Sequence, residues 1–202
     1  MNFKGKLIII GGAEDKGDTL KEHEIKNADK DANETEILQR IVDESRDKEK
    51  SRFEIVTTAS TIPETVGNDY IEAFEKLQVR NLGVLIIEDR EKADDPDILQ
   101  RLREADVVFV TGGDQLRLTS ILGGTRFYDL LIEKLEDPKF LYAGTSAGAA
   151  AASENMIFQG KSTDALRKGE IRTTSGFGLV RNIVFDTHFI QRGRIGRLFQ
   201  II

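Results

Sequence analysis

The sequence predicts an α/β protein built on a doubly wound, mostly parallel β-sheet. Short apolar runs rich in β-branched residues alternate along the chain with segments that carry apolar residues at helical spacing. The runs are apolar at nearly every position, which is typical of parallel strands covered on both faces. Ligands of such sheets bind at the carboxyl ends of the strands, so the residues that follow each run are the candidates for a functional site.

Five apolar runs have the length of a strand. They are Leu7–Ile10, Phe53–Ala59, Gly83–Glu88, Asp106–Val110 and Phe140–Ala143. A sixth strand-like run, Asn182–Asp186, lies near the end of the chain.

Four segments between these runs show the apolar spacing of an amphipathic helix. Their apolar positions are Ile37, Leu38, Ile41 and Val42; Val66, Tyr70, Phe74 and Leu77; Ile98, Leu99 and Leu102; and Phe127, Leu130, Leu131 and Leu135. Asn33 and Glu36 are placed like an N-cap and its reciprocal carboxylate. Residues 13–36 hold nine acidic and four lysine side chains, so we expect a solvated loop there rather than an acidic binding arm.

Composition favours one domain, 1–202, that stays in the cytoplasm. The formal charge of −6 gives no electrostatic basis for binding nucleic acid or an anionic membrane. The chain has no cysteine, which excludes disulfides and thiolate chemistry. The first apolar run, Leu7–Ile10, is too short for a signal peptide or a membrane span.

A glycine-flanked serine follows the fifth run. Gly144-Thr145-Ser146-Ala147-Gly148 matches the G-x-S-x-G pattern and precedes an alanine-rich, helix-prone segment. This is the context of a nucleophile elbow, in which a cramped strand-to-helix turn exposes the serine hydroxyl. The N–H of Ala147 would then lie at a helix N-terminus, where it can stabilise an oxyanion. The alternative is a glycine-containing packing turn.

A nucleophilic serine needs a base, and the chain offers two histidines. His23 lies in the charged segment, whereas His188 follows the strand-like run Asn182–Asp186, which favours His188. Paired glycines follow the fourth run, so the N–H of Gly113 is a candidate second oxyanion donor and Gln115 could orient a polar substrate group. The alternative there is a plain turn with Asp114 as N-cap.

Three arginines, Arg192, Arg194 and Arg197, follow His188 closely. Such a cluster beside a hydrolytic base indicates recognition of a carboxylate by bidentate hydrogen bonds. A solvated helix start is the alternative.

Four motifs in order resemble the cyanophycinases, of the serine peptidase family that also contains aspartyl dipeptidase E. They are GGAEDK at 11–16, TGGDQLRLT at 111–119, GTSAGAA at 144–150 and DTHFIQRGRIGRL at 186–198. The resemblance implies a flavodoxin-like sheet related to class I glutamine amidotransferases. It also implies an exopeptidase that hydrolyses cyanophycin, a poly-aspartate bearing arginine on each β-carboxyl, to β-Asp-Arg dipeptides, and a homodimer.

By position, the resemblance implies that Ser146 is the nucleophile and His188 the base. The matching pocket positions are Gln115, Asp186, Arg192, Arg194 and Arg197. Thr187 stands where cyanophycinases usually have glutamine, so it is a pocket position at which substrate preference can differ. Ile202 falls short of the family's usual length, and we expect a C-terminal portion to be lacking.

The resemblance implies two sources for the acidic member of the catalytic triad: a DE motif of the family, which would lie in the lacking C-terminal portion, or, within the present chain, Asp164, ahead of Glu154 and Glu170. The assignment to Asp164 follows the order Ser, Asp, His of the dipeptidase relatives.

The sequence therefore predicts a serine exopeptidase for aspartyl or β-aspartyl peptide bonds that needs no metal and no organic cofactor. A related aspartyl or isoaspartyl dipeptidase and a non-catalytic binding protein of the same fold remain alternatives. An α/β-hydrolase esterase shares G-x-S-x-G, but the HGGG-type loop that it needs upstream is absent from the sequence.

Overall fold

Five parallel strands form the central sheet in the computed structural model, which describes residues 3–12, 28–160 and 171–188, with the side chains of 28–35 left out. The strands are β1 (Lys6–Ile10), β2 (Arg52–Val56), β3 (Asn81–Leu85), β4 (Val107–Val110) and β5 (Leu141–Thr145). Their order across the sheet is β1-β5-β4-β2-β3. All four neighbouring pairs are parallel, which confirms the predicted α/β class.

The strand order is that of a flavodoxin-like sheet in which the N-terminal strand of this chain takes the position of the fifth strand. Strands β3, β2, β4 and β5 stand in the order 2-1-3-4 of such a sheet when β2 is counted as the first strand. The N-terminal strand β1 lies beside β5, in the place of the fifth strand. The sheet thus brings the chain after β1 next to the chain after β5.

The helices pack on both faces of this sheet. They are α1 (Ala28–Glu44), α2 (Pro63–Lys76), α3 (Arg90–Ala93), α4 (Pro96–Glu104), α5 (Gln115–Leu122), α6 (Arg126–Lys134) and α7 (Ala147–Ala151), with a short 3-10 helix at Lys48–Lys50. All four segments predicted from apolar spacing are helical, in α1, α2, α4 and α6.

Alternation along the strands divides the core into two layers. Phe53, Ile55 and Phe109 face α1 and α2, where an aromatic group of Phe53, Phe74 and Phe109 packs with ring centroids 5.1 and 5.5 Å apart. The neighbouring strand positions, such as Val108 and Tyr142, face α4, α5 and α6. Both faces of the sheet are buried, as the apolar runs predict.

One charged side chain is buried within the sheet. Glu54 on β2 is 1% exposed, and its carboxylate binds Arg101 of α4 and Arg52 of its own strand, the latter with Nε 3.1 Å from Oε1. Gly83 on β3 has no side chain to compete for this space, since an added Cβ would meet both Glu54 and Arg101. The buried carboxylate is therefore compensated by two guanidinium groups.

Several predicted boundaries differ from the structure. The apolar run Phe53–Ala59 outlasts β2 because residues 57–60 turn, with Ser60 N–H donating to Thr57 O, while their side chains stay buried. Asn33 lies within α1 instead of capping it, because the helix begins at Ala28 and so takes up the last part of the segment 13–36 that was predicted to be a loop.

The run Asn182–Asp186 is not a strand. Its backbone lies outside both sheets, and Phe185 N–H donates to the Ser153 hydroxyl. A strand-like composition is not sufficient here, because none of the seven strands in the described ranges pairs with this run.

A small antiparallel ribbon, which the sequence did not predict, lies beside the main sheet. It consists of β6 (Asn155–Gln159) and β7 (Arg172–Ser175). None of the helices in the described part of the chain is both long and apolar enough to cross a membrane.

Candidate active site

Ser146 occupies a strained turn between β5 and α7. Its backbone has φ 48° and ψ −101°, a region that costs a non-glycine residue about 1–3 kcal/mol. Two hydrogen bonds hold the turn: Ser146 N–H donates to Ile10 O at 3.1 Å, and Ala150 N–H donates to Ser146 O at 2.9 Å. The serine side chain is half-buried in a site that is otherwise tightly packed. This is the geometry of a nucleophile elbow.

The glycines on either side of Ser146 are required by close packing. A Cβ on Gly144 would lie 2.6 Å from the carbonyl carbon of Gly148, and a Cβ on Gly148 would collide with Val110 O of β4. Tyr142 OH, on β5, donates to Gly148 O at 2.8 Å and so holds the start of α7 against the sheet. Complete burial raises the pKa of this phenol, so it remains a neutral donor.

His188, which lies 42 residues after Ser146 in the sequence, contacts the Ser146 side chain. The distance between Ser146 Oγ and His188 Nε2 is 2.8 Å, a hydrogen bond between the two groups that sequence analysis singled out. His188 has φ 52°, and its N–H donates to Gly11 O at 2.8 Å. Both residues of the pair are therefore anchored to the segment that ends β1, Ile10 and Gly11.

Gly12 leaves room for the imidazole. Its φ is +95°, and a Cβ there would lie 2.6 Å from His188 Cε1 and 3.1 Å from Ser146 Cβ. Sequence analysis did not assign Gly12 to the site. The paired glycines after a strand are the signal that could have found it.

The diglycine turn after β4 lies against the serine. A Cβ on Gly112 would lie 3.3 Å from Ser146 Cβ. Gly113 has φ +140° and packs so closely on Ala59 that a Cβ would overlap Ala59 O. Asp114 then caps α5, its Oδ1 accepting from Leu116 N–H and Arg117 N–H. The alternative reading of Asp114 as an N-cap thus holds alongside the close approach of the turn to Ser146.

The other predicted residues fall into four groups. Ala147 is the first residue of α7 and is buried. Gln115, at the start of α5, donates from Nε2 to Ile157 O of β6 at 3.2 Å. Asp186 is partly exposed and Thr187 is buried, 7% exposed, both directly before His188. Asp164, Arg192, Arg194 and Arg197 lie outside the described residues.

Within the part of the chain that the structure describes, no group of three or more His, Asp or Glu side chains is arranged to hold a metal ion. The groups gathered around Ser146 are instead a hydroxyl, an imidazole, and the backbone of two glycine turns. This set suits nucleophilic attack on a carbonyl and proton transfer.

Comparison with known proteins shows which family this sequence matches. The model of peptidase family S51 matches residues 26–202. A protein of Trichormus variabilis named cyanophycinase is 31% identical over 199 residues, which cover 98% of this chain and 61% of that protein. The chain thus spans about three fifths of the length of this curated relative.

Solved structures share the fold. A peptidase from an acI-B1 actinobacterium superposes with a TM-score of 0.70 at 20% identity, covering 98% of this chain and 75% of the other. A putative peptidase E protein from Listeria monocytogenes gives a TM-score of 0.51 at 21% identity, covering 78% and 77% of the two chains. The match of the family model over most of the chain shows that this protein belongs to peptidase family S51.

Proposed function

We propose that this protein is a serine exopeptidase that hydrolyses cyanophycin, multi-L-arginyl-poly-L-aspartate, to β-Asp-Arg dipeptides. The observation that carries the proposal is the 2.8 Å contact between Ser146 Oγ and His188 Nε2 on a strained strand-to-helix turn. The similarity to the Trichormus cyanophycinase supports the choice of substrate. A serine within hydrogen-bond reach of an imidazole is the arrangement that activates a hydroxyl for attack.

In the first half of the reaction, Ser146 Oγ attacks the scissile carbonyl carbon and His188 Nε2 takes its proton. The carbonyl oxygen becomes an oxyanion, which the N–H groups of Gly113 and Ala147 stabilise. Collapse of this intermediate breaks the C–N bond. The imidazolium of His188 gives its proton to the departing amine, which leaves an acyl ester on Ser146.

In the second half, water replaces the amine. His188 takes a proton from water, hydroxide attacks the ester carbonyl, and the same two N–H groups hold the second oxyanion. The C–O bond to Ser146 breaks and the proton returns to Ser146 Oγ. The carboxylic acid product leaves, and the enzyme regains its starting state.

Substrate binding is assigned to polar side chains around this centre. Gln115, Asp186 and Thr187 would border the pocket, and Asp164 would orient the imidazole of His188 through Nδ1. A substrate carboxylate would bind a cluster of guanidinium groups by bidentate hydrogen bonds. That cluster consists of Arg192, Arg194 and Arg197.

The test is incubation of the protein with cyanophycin and with α-linked and β-linked Asp-Arg peptides, followed by mass spectrometry. We expect β-Asp-Arg from the polymer, and loss of product with Ser146→Ala. Ser51→Ala, directly before β2 and so at the amino-terminal end of the parallel strands, is the control and should retain activity. Cleavage of the α-linked peptide alone overturns the assignment to cyanophycin.

A related aspartyl or isoaspartyl dipeptidase is the second candidate. It is favoured by Thr187, a short and buried side chain directly before His188, because a smaller pocket group there alters which substrate fits. The similarity in fold to the putative peptidase E protein agrees with it. Hydrolysis of short aspartyl peptides without release of dipeptides from the polymer would identify this activity.

A non-catalytic binding protein of the same fold makes the opposite prediction for an active-site probe. A fluorophosphonate labels an activated serine, so we expect labelling of the wild type that disappears in Ser146→Ala. A wild type that is folded, binds the peptides and resists the probe would be a binding protein.

We also propose a cytoplasmic homodimer. The absence of cysteine from the sequence fits a reducing compartment. Light scattering after size-exclusion chromatography tests the dimer by mass. Cell fractionation tests the compartment.

A further inference from the structure

A groove of about 710 Å³ runs beside the candidate active site, between α5, the loop that leads into α6, and the ribbon strand β7. Its polar lining, which defines what we call the α5 groove, consists of Asp114, Arg117, Thr119, Ser120, Thr174 and Ser175. The volume lies within the range of about 300–1,000 Å³ that is usual for sites of small molecules. None of these residues except Asp114 has a role in the site described above.

The α5 groove starts next to the active-site end of the sheet, because its lining includes Asp114. Asp114 follows Gly113 directly, and Gln115 begins α5 and reaches across to Ile157 O of β6. Thr119 is four residues after Gln115, so it lies on the same side of α5 one turn further from Ser146. The groove therefore begins near the diglycine turn and leads away from Ser146 along α5.

Opposite charges stand one turn apart in the α5 groove. The carboxylate of Asp114 is exposed and held in place by the two backbone N–H groups that it caps. The guanidinium of Arg117 is held by its Nε, which donates to Thr58 O at 2.9 Å. Tyr128 OH donates to Phe177 O at 2.7 Å and ties α6 to the segment after β7, which fixes the width of the groove. Both charges are thus pre-positioned, and little side-chain entropy is lost when they bind a ligand.

We propose that the α5 groove binds the repeat unit of the polymer that lies two units away from the one being released, beyond the unit that adjoins it. This inference rests on the proposed cyanophycin substrate, whose every repeat carries one guanidinium and one carboxylate. Asp114 pairs with the guanidinium of the bound repeat and Arg117 pairs with its carboxylate. The hydroxyls of Thr119, Ser120, Thr174 and Ser175 form hydrogen bonds with the backbone amides of the polymer. The groove makes the enzyme prefer a chain of repeats to the shortest cleavable peptide.

The test compares two soluble substrates, (β-Asp-Arg)₂, which has one cleavable bond, and (β-Asp-Arg)₄. The measured quantity is the ratio of kcat/KM for the long substrate to kcat/KM for the short one. Asp114→Asn removes the charge but keeps a good N-cap. Arg117→Gln removes the charge, whereas Arg117→Lys retains it. Asp97→Asn and Arg103→Gln, on the exposed side of α4, are matched controls.

We expect the wild type to prefer the longer substrate. Asp114→Asn and Arg117→Gln should each lower the ratio about three- to tenfold, the effect of one lost charge-assisted hydrogen bond, while Arg117→Lys restores most of it. The two controls should leave the ratio at its wild-type value. Calorimetric binding of (β-Asp-Arg)₄ to Ser146→Ala, with and without Arg117→Gln, should show the same loss in Kd.

Two other outcomes separate the groove from the catalytic proposal. If the wild type cleaves both substrates and the groove variants leave the ratio unchanged, or if the wild type shows no length preference, the groove proposal is wrong and the proposed activity stands. If the wild type cleaves neither substrate, the proposed activity is wrong, and the ligand assigned to the groove is then wrong as well.

Discussion

Gly12 determines how closely His188 can approach Ser146. An added Cβ would lie 2.6 Å from the imidazole Cε1, in a backbone conformation that already disfavours side chains. We expect Gly12→Ala to push the ring away from Ser146 Oγ and to lower kcat about 100-fold, because displacements of about 1 Å cost that much in aligned catalytic groups. Steady-state hydrolysis and the rate of serine labelling by a fluorophosphonate both measure this loss.

Gly11→Ala is the matched control. No atom lies within 4 Å of a Cβ built on Gly11, and its carbonyl, which accepts the His188 N–H, is unchanged by the substitution. We expect near-wild-type kcat for Gly11→Ala. Equal losses in the two variants would contradict a steric role of Gly12 toward His188.

At the scale of elements, the ion pair of Glu54 joins β2 to α4. Glu54→Gln leaves the guanidinium groups of Arg52 and Arg101, which are 26% and 34% exposed, without their shared carboxylate. We expect the free energy of unfolding to fall by about 2–4 kcal/mol, since removing one partner of a buried pair leaves the other charge uncompensated. Urea denaturation followed by circular dichroism measures the change.

Glu104 provides the comparison for Glu54. It also binds Arg52, but its side chain is 46% exposed, so Glu104→Gln should lower the free energy of unfolding much less than Glu54→Gln does. If Glu104→Gln lowers the free energy of unfolding as much as Glu54→Gln does, burial is not the reason for the contribution of the Glu54 carboxylate.

The main elements of the sheet could be predicted because their sequences carry strong local signals. Phe109, Phe53 and Ile55 lie in runs that are buried on both faces, and Pro96 and Asp114 stand where helices α4 and α5 begin. The turn around Ser146 was recognisable because only glycine fits at its two flanking positions.

The ribbon of β6 and β7 was not predictable in the same way. Asn155–Gln159 and Arg172–Ser175 are short and largely polar on their exposed face, and they pair across a stretch of sequence that no periodicity connects. The role of Gly12 was missed for a related reason. Its close neighbours, Ser146 and His188, are more than 130 residues away in sequence, and only the parallel pairing of β1 with β5 brings them together.

For the molecule as a whole, an ion-pair network at the amino-terminal end of the parallel strands links the free energy of unfolding to pH. Arg46, between α1 and β2, binds Asp137 before β5 and Asp106 before β4, with Nε 2.9 Å from Asp106 Oδ1. The backbone N–H of Lys139 and the guanidinium of Arg46 hold the pKa of the Asp137 carboxyl below its usual value. One cation thus joins three segments that are distant in sequence.

The lowered pKa of Asp137 predicts the pH at which this contribution is lost. A carboxyl with a pKa lower in the folded state stabilises the protein above its unfolded pKa of about 3.9, and the effect disappears as pH falls through the folded value. We expect the Tm difference between wild type and Asp137→Asn to be largest near neutral pH and to shrink below about pH 4. A difference that stays constant from pH 7 to pH 3 would contradict this role.

The anchoring of Ser146 and His188 on β1 has a consequence for the order of events during synthesis. Strand β1 and the residue directly after it supply the two carbonyls, Ile10 O and Gly11 O, that accept from Ser146 N–H and His188 N–H, and both of these residues are made much later than β1. Its pairing with β5 closes the longest loop between neighbouring strands of the sheet, and long-range pairings form slowly. The proposed catalytic pair is therefore complete only when β1 and the segment around residue 188 meet. A partly synthesised chain that ends between the two residues would carry Ser146 without the imidazole that the proposed acylation needs.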